Sequence, residues 1–156
     1  MPKDINNHIL LVDTKVARRD TLASRFRMQG FTVDLANSGF QALSLIENTY
    51  YKSIILLDNF PDMGANETID LIRSMVPKEN LQIILVSRNS DHEEVMEAYA
   101  LGVNEYLVYD EKIFIPLLEK VKSYKSPGVY QRHFLVENQL DDAQEMAKEI
   151  DKKSQP

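Results

Sequence analysis

Three short apolar runs, each without a polar residue inside it, set the pattern of this chain. They cover residues 9–12, 54–57 and 83–86. A strand that is apolar on both faces is buried on both, as in a parallel sheet covered by helices. Residues 31–35 alternate more between polar and apolar, and residues 106–108 form a shorter run. We therefore expect three central strands and two flanking strands.

Segments with helical periodicity lie between the predicted strands. Apolar side chains on one face predict helices over residues 17–28, 40–47 and 68–75. Ser90 and Glu93 have the spacing of a capping box and predict a fourth helix that ends before Gly102. Asp110 is the predicted N-cap of a fifth helix over residues 113–124, with Pro116 in or near its first turn.

Five strands that alternate with five helices predict an α/β protein. We expect a flavodoxin-like, doubly wound parallel sheet of strand order 2-1-3-4-5, with helices on both faces, over residues 6–125. The pattern breaks at the Ser-Pro-Gly sequence of residues 126–128. Beyond it, one apolar stripe predicts a linker and an amphipathic helix in residues 126–156, which either packs on its own domain or mediates a homodimer. The stripe consists of Val136, Leu140, Ala143, Ala147 and Ile150.

Composition narrows the possible partners. Eighteen basic and 24 acidic side chains give a net charge of −6, which argues against nucleic acid as the main partner. The apolar runs are far shorter than the roughly 20 residues that span a bilayer, so we expect no membrane contact and a cytoplasmic protein. The absence of cysteine from the sequence excludes disulfides, zinc–thiolate sites and thiol nucleophiles.

Candidate chemistry follows the ends of the predicted strands. Asp13 and Asp58 come directly after the first and third strands, Ser87 after the fourth and Tyr109 after the fifth. Ligand sites of doubly wound sheets lie beyond these carboxyl ends. Two carboxylates at one edge repel each other unless a cation neutralises them, and a hard ion such as Mg²⁺ prefers carboxylate oxygens. Asp13 as a cap of the first helix is the competing interpretation.

Several motifs occur along the chain in a characteristic order: HILLVD at 8–13, GFTV at 30–33, ANSGFQAL at 36–43, SIILLD at 53–58, IILVS at 83–87 and ALGVNEYLV at 100–108. Their order and spacing resemble the receiver domain of bacterial two-component response regulators, over about residues 6–124.

This CheY-like resemblance implies a mechanism. Asp58 matches the nucleophile that accepts a phosphoryl group from a histidine kinase or phosphotransfer protein. Asp13, Asp58 and the backbone carbonyl of Phe60 match the Mg²⁺ ligands. Ser87 and Tyr106 match the switch residues that change the face bound by a downstream protein. An aspartyl attack on phosphorus needs an in-line carboxylate and a cation on the phosphoryl oxygens.

The sequence also departs from the family at positions that matter for this chemistry. Thr14 stands where receivers carry a second acid, and Tyr109 stands where they carry a lysine. Because each change removes a charge from the pocket, we expect weak Mg²⁺ binding and slow or partial phosphorylation. Lys15 and Arg88 flank the pocket, and each is either a partial substitute for the lysine or an exposed surface cation.

Two functions fit these observations. The first is a stand-alone receiver in phosphorelay signalling that accepts phosphate at Asp58 and acts through protein contacts, without enzymatic activity of its own. The alternative is an atypical pseudo-receiver whose protein contacts are independent of phosphate. An aspartyl phosphatase is set aside, because such enzymes place a second Asp two residues after the first and this chain has Lys15 there.

Overall fold

The computed structural model describes residues 7–57 and 62–125. The strands are β1 (His8–Val12), β2 (Thr32–Ala36), β3 (Ser53–Leu57), β4 (Gln82–Ser87) and β5 (Glu105–Val108). The helices are α1 (Val16–Met28), α2 (Gly39–Asn48), α3 (Ala65–Met75), α4 (His92–Leu101) and α5 (Phe114–Ser123). Asp58, Phe60 and the C-terminal segment 126–156 lie outside the described residues, so the helix and linker predicted there stay predictions.

The described strands form one parallel sheet in the order β2-β1-β3-β4-β5, which confirms the predicted flavodoxin-like topology. Each strand lies within one residue of its predicted bounds. The central strands β1, β3 and β4 are buried along their whole length. Since both faces of these strands are covered, the uninterrupted apolar runs were a correct signal of a parallel sheet.

The core has two halves, one on each face of the sheet. Leu10 and Val12 of β1 face α2, α3 and α4, whereas Ile9 and Leu11 face α1 and α5. On the second face Phe26 of α1 packs edge-to-face against a ring of α5, with the ring centroids 5.1 Å apart. The side-chain alternation of a strand divides the apolar run between the two faces.

Helix α3 begins at Ala65, three residues before its predicted start, and two predicted N-caps are wrong. Helix α4 begins at His92 with Asp91 as its N-cap, so the capping box from Ser90 does not form. Helix α5 begins at Phe114 with Ile113 as its N-cap. Asp110 instead closes the turn before it, since its carboxylate accepts from the backbone N–H of Lys112 at 2.7 Å. Both sequence signals identified the right loop but not the residue at which helical geometry starts.

Gly102 ends α4 as the sequence predicts. Its φ of 114° lies in the left-handed region, and its N–H donates to the carbonyl of Ala98 at 3.2 Å. A Cβ at this position would lie 2.9 Å from the Cγ of Arg73. Glycine is therefore required here for two reasons, its backbone conformation and the close approach of Arg73.

Within residues 7–57 and 62–125, no helix has the length and apolar character that crossing a bilayer requires.

Candidate functional site

The carboxyl edge of the sheet brings together the ends of β1, β4 and β5. Asp13 follows β1 and its N–H donates to the carbonyl of Ala36 at 3.0 Å, which continues the β1–β2 pairing by one residue. Tyr109 follows β5 and its N–H donates to the carbonyl of Ser87 at 2.8 Å. Both side chains are therefore positioned by sheet hydrogen bonds and not by a free loop.

Asp13 is fully buried, and both of its carboxylate oxygens have donors. One oxygen accepts from the backbone N–H of Lys15 at 3.0 Å and from Nη2 of Arg18 at 2.8 Å. The other accepts from Nε of Arg18 at 2.6 Å. The N-cap of α1 is Lys15, so Asp13 is not the helix cap. It is one half of a bidentate ion pair.

Arg18 is the residue at this edge that the sequence reasoning missed. It lies in the first turn of α1, and its guanidinium lies 4.9 Å from the ring centroid of Tyr109. Its hydrogen bond to Asp13 raises the pKa of Arg18 and outweighs the lowering by burial, so the group stays protonated. The available signal was an arginine one helical turn beyond the acid that follows β1, in a chain where Thr14 has replaced the second acid.

A cavity of about 260 Å³ opens beside this pair. The described residues that line it are Thr14, Lys15, Arg18, Leu57, Val86, Arg88 and Tyr109. Three of these are cationic and none is acidic. The guanidinium of Arg88 lies 5.3 Å from the ring centroid of Tyr109. Lys15 and Arg88 therefore both line the pocket where the sequence placed them, and the tyrosine that replaces the lysine supports two arginines.

Ser87 and Tyr106 line a second cavity, next to Gly64, Glu94 and Glu97. The Oγ of Ser87 accepts from the N–H of Asn89 at 3.1 Å. The hydroxyl of Tyr106 donates to the carbonyl of Asn89 at 2.5 Å. The structure thus brings the two predicted switch residues to the same loop, the β4–α4 connection, with Tyr106 half-buried.

Asp62 links the β3–α3 loop to the start of α2. Its carboxylate accepts from the backbone N–H groups of Gly39 at 3.1 Å and Phe40 at 2.8 Å. Slight burial acts to raise the pKa of Asp62, but the backbone donors, those of Phe40 and Gly39 first, outweigh it and hold the pKa below its usual value. Sequence reasoning missed this contact because residues 39 and 62 are far apart in the chain.

Of the predicted Mg²⁺ ligands the structure describes only Asp13, since Asp58 and Phe60 lie outside the described residues. Among residues 7–57 and 62–125 no group of three or more acidic, histidine or cysteine side chains is arranged to hold a metal ion. The oxygens of Asp13 accept from Arg18 and Lys15, and Thr14 supplies no charge. Hard cations gain affinity chiefly from charged oxygen ligands that are free to coordinate, and these oxygens are already engaged.

His8 lies at the other end of β1 and contacts none of these residues in the described hydrogen bonds. Its Nε2 is 2.9 Å from a carboxylate oxygen of Asp34, and the hydroxyl of Tyr51 donates to the same oxygen at 2.7 Å. Burial, and then the bond to Asp34, raise the pKa of Tyr51. This cluster joins β1 to β2 and to Tyr51, which precedes β3.

Comparison with known proteins gives a consistent result. The family model "Response regulator receiver domain" matches residues 9–113. The regulatory protein AtoC of Escherichia coli is 28% identical over 102 residues, which is 65% of this chain and 22% of that protein. The chain thus spans about a fifth of that relative's length.

Solved structures show the same fold. The response regulator TrrA of Thermotoga maritima, in complex with Mg²⁺ and a beryllium fluoride, is 28% identical with a TM-score of 0.67, covering 76% of this chain and 99% of that one. A CheY-like receiver of Methanospirillum hungatei is 24% identical with a TM-score of 0.68, covering 74% and 90%. The family model matches more than half of the sequence, and the structure has the fold that the sequence predicts. This chain therefore belongs to the response regulator receiver domain family.

Proposed function

We propose that the chain receives a phosphorelay signal at Asp58 and transmits it through a protein contact. The observation that carries this proposal is the position of the cationic cavity. Leu57, the residue before Asp58, lines that cavity together with Lys15, Arg18 and Arg88. The described residues of this cavity carry positive charge, which suits a phosphoryl group on the residue that follows Leu57 in the sequence.

The transfer step is a displacement at phosphorus. A carboxylate oxygen of Asp58 forms a P–O bond while the P–N bond of a phosphohistidine breaks. The electron pair of that bond goes to the imidazole nitrogen, which then takes a proton from water. The protein supplies position and positive charge, which is the main contribution required for phosphoryl transfer. A histidine kinase or phosphotransfer protein is the proposed donor.

The response is proposed to pass through Ser87 and Tyr106. Ser87 ends β4 beside the pocket, and Tyr106 contacts the carbonyl of Asn89, two residues further along the chain. Movement of the β4–α4 loop towards a phosphoryl group would change the face formed by α4, β5 and α5, where Met96 and Val108 are exposed. A downstream protein is the proposed partner of this face.

Phosphorylation with acetyl phosphate, followed by intact mass and peptide mapping, tests the proposal. In this reaction the bond between phosphorus and the acetyl oxygen breaks and acetate leaves. We expect slow, partial addition of one phosphate at Asp58, because the lysine of the family pattern is replaced by Tyr109. Asp58→Asn should abolish the addition, whereas Asp20→Asn, at an exposed acid of α1, should leave it unchanged.

Two outcomes would contradict the proposal. Labelling that persists in Asp58→Asn would place the phosphate elsewhere. A wild-type chain that takes no phosphate from acetyl phosphate, with or without a divalent cation, would leave a phosphate-independent protein-binding module as the better account.

A further inference from the structure

The cation that faces Asp13 in this structure belongs to the protein itself. Asp13 is fully buried, and Arg18 contacts both of its oxygens at 2.6 and 2.8 Å. A metal ion that bound Asp13 would have to displace this guanidinium. The displaced arginine would lose two charge-assisted hydrogen bonds, so the ion pair competes directly with metal binding.

The arginine is held at this place by more than the carboxylate. Its guanidinium lies over the ring of Tyr109, and its side chain is only 15% exposed. The backbone of α1 begins at Val16, so Arg18 is anchored within the first turn of a regular helix. Helix, aromatic ring and carboxylate together fix one position for the charge.

The charge that faces the cavity is positive. Lys15, Arg18 and Arg88 line it, and none of the lining residues that the structure describes is acidic. A guanidinium carries five N–H donors, and Asp13 accepts from two of the donor nitrogens of Arg18. Arg18 also has a side-chain hydrogen bond with Tyr109, and its guanidinium lines the cavity. The described part of the pocket therefore offers positive charge, which attracts an anion.

We propose that Arg18 is the built-in counterion of this pocket, held on Asp13 in place of a divalent metal ion, and that it receives the phosphoryl group of Asp58 without a metal. The inference about the phosphoryl group depends on the proposed function, whereas the exclusion of metal by Arg18 can be tested separately. Thr14 fits the same interpretation. A second acid would serve to bind a metal ion, and with Arg18 paired to Asp13 no metal ion is needed.

Titration with Mg²⁺, followed by the amide NMR shifts of residues 13–15, tests the exclusion of metal. We expect no saturable shift in the wild-type chain. Arg18→Met frees the carboxylate of Asp13 and should raise the affinity for Mg²⁺ roughly tenfold or more. The matched control is Arg19→Met, at the neighbouring arginine of α1, which pairs with Asp20 at 3.3 Å and should behave as the wild type does.

Each result of this titration decides the proposal. Equal Mg²⁺ affinity in the wild type and in Arg18→Met would overturn it. Absence of binding in both would also overturn it, because the metal would then be excluded by the missing acid at Thr14 and not by Arg18. If Arg18→Met does not fold, Arg18→Lys replaces it, since lysine keeps the charge but not the bidentate contact.

The metal dependence of labelling tests the second half of the proposal. Acetyl phosphate should label the wild-type chain at the same rate in Mg²⁺ and in EDTA, and Arg18→Met should label more slowly in EDTA than in Mg²⁺. Labelling of the wild type that requires Mg²⁺ would overturn the metal-free pocket. No labelling in either buffer would defeat the proposed function, and the Mg²⁺ titration would still decide the role of Arg18.

Discussion

At the scale of single residues, the ion pair of Asp13 and Arg18 determines the character of the site. A buried carboxylate is tolerated only when it is paired and hydrogen-bonded. Arg18 provides both, with the backbone N–H of Lys15 as the third donor. Such a pair gives little net stability over an apolar replacement, but the loss of one partner alone is costly. This asymmetry makes the pair testable by substitution.

Arg18→Met should destabilise the chain by about 3 kcal/mol, because Asp13 remains buried without its counterion. Urea unfolding measures the change. Adding Asp13→Leu should recover much of the loss, since the double variant buries no charge. A loss below about 1 kcal/mol in Arg18→Met, the range of an exposed ion pair, would show that Asp13 is not dependent on the arginine.

At the scale of elements, Asp62 connects the loop that carries the proposed phosphoacceptor to α2. The carboxylate accepts from Gly39 and Phe40 at the N-terminus of that helix, where backbone N–H groups lack partners within the helix. Ser38 contributes a second cap, since its hydroxyl accepts from the N–H of Gln41 at 3.1 Å. Two adjacent loops are thereby joined at one helix end.

The Asp62 contact should be lost in acid. Because the pKa of Asp62 is lowered in the folded chain, its contribution is present at neutral pH and disappears as the pH falls through the folded value, below the ordinary 3.8. The amide shifts of Gly39 and Phe40 should titrate together with a midpoint below 3.8. Asp62→Asn should remove that titration, whereas Asp70→Asn, at an exposed acid of α3, should retain it. A midpoint at or above the ordinary value would contradict the contact.

At the scale of the whole molecule, the two cavities lie on either side of the β4–α4 connection. Arg88 lines the cationic cavity, and Ser87 lines the second one with Tyr106. Asn89 accepts from the Tyr106 hydroxyl through its carbonyl and donates to Ser87 through its N–H. A change in one cavity can therefore reach the other through three consecutive residues.

Tyr106→Phe should loosen this connection, because it removes the hydroxyl that donates to Asn89. We expect amide hydrogen exchange in residues 88–91 to accelerate severalfold, in keeping with the loss of a hydrogen bond worth about 1 kcal/mol. Tyr124→Phe is the matched control, since that hydroxyl donates to the carbonyl of Lys78 at 3.1 Å, far along the chain from this loop. Unchanged exchange in Tyr106→Phe would contradict the role of the contact.

The sequence alone determined the architecture. Uninterrupted apolar runs at residues 9–12, 54–57 and 83–86 are typical of strands in a covered parallel sheet, and five alternating strand–helix units with acids at the switch point predicted the strand order. The ends of the predicted strands placed Asp13, Ser87 and Tyr109 at one edge. The sequence also showed that Thr14 and Tyr109 replace charged residues of the family pattern. It therefore indicated a pocket with fewer charges at these two positions.

Only the tertiary structure decided which side chain pairs with Asp13 at that edge. In the sequence, Arg18 resembles an ordinary surface residue of an amphipathic helix. In the structure, its place at the start of α1 brings it into contact with Asp13 and Tyr109. The Asp62 contact likewise depends on the approach of two loops. Hydrophobic periodicity indicates which residues are buried. Ion pairs depend on the distances between helices, strands and loops, and periodicity carries no information about those distances. The sequence therefore predicted which residues lie at the carboxyl edge of the sheet. The tertiary structure showed that the guanidinium of Arg18 pairs with Asp13 there.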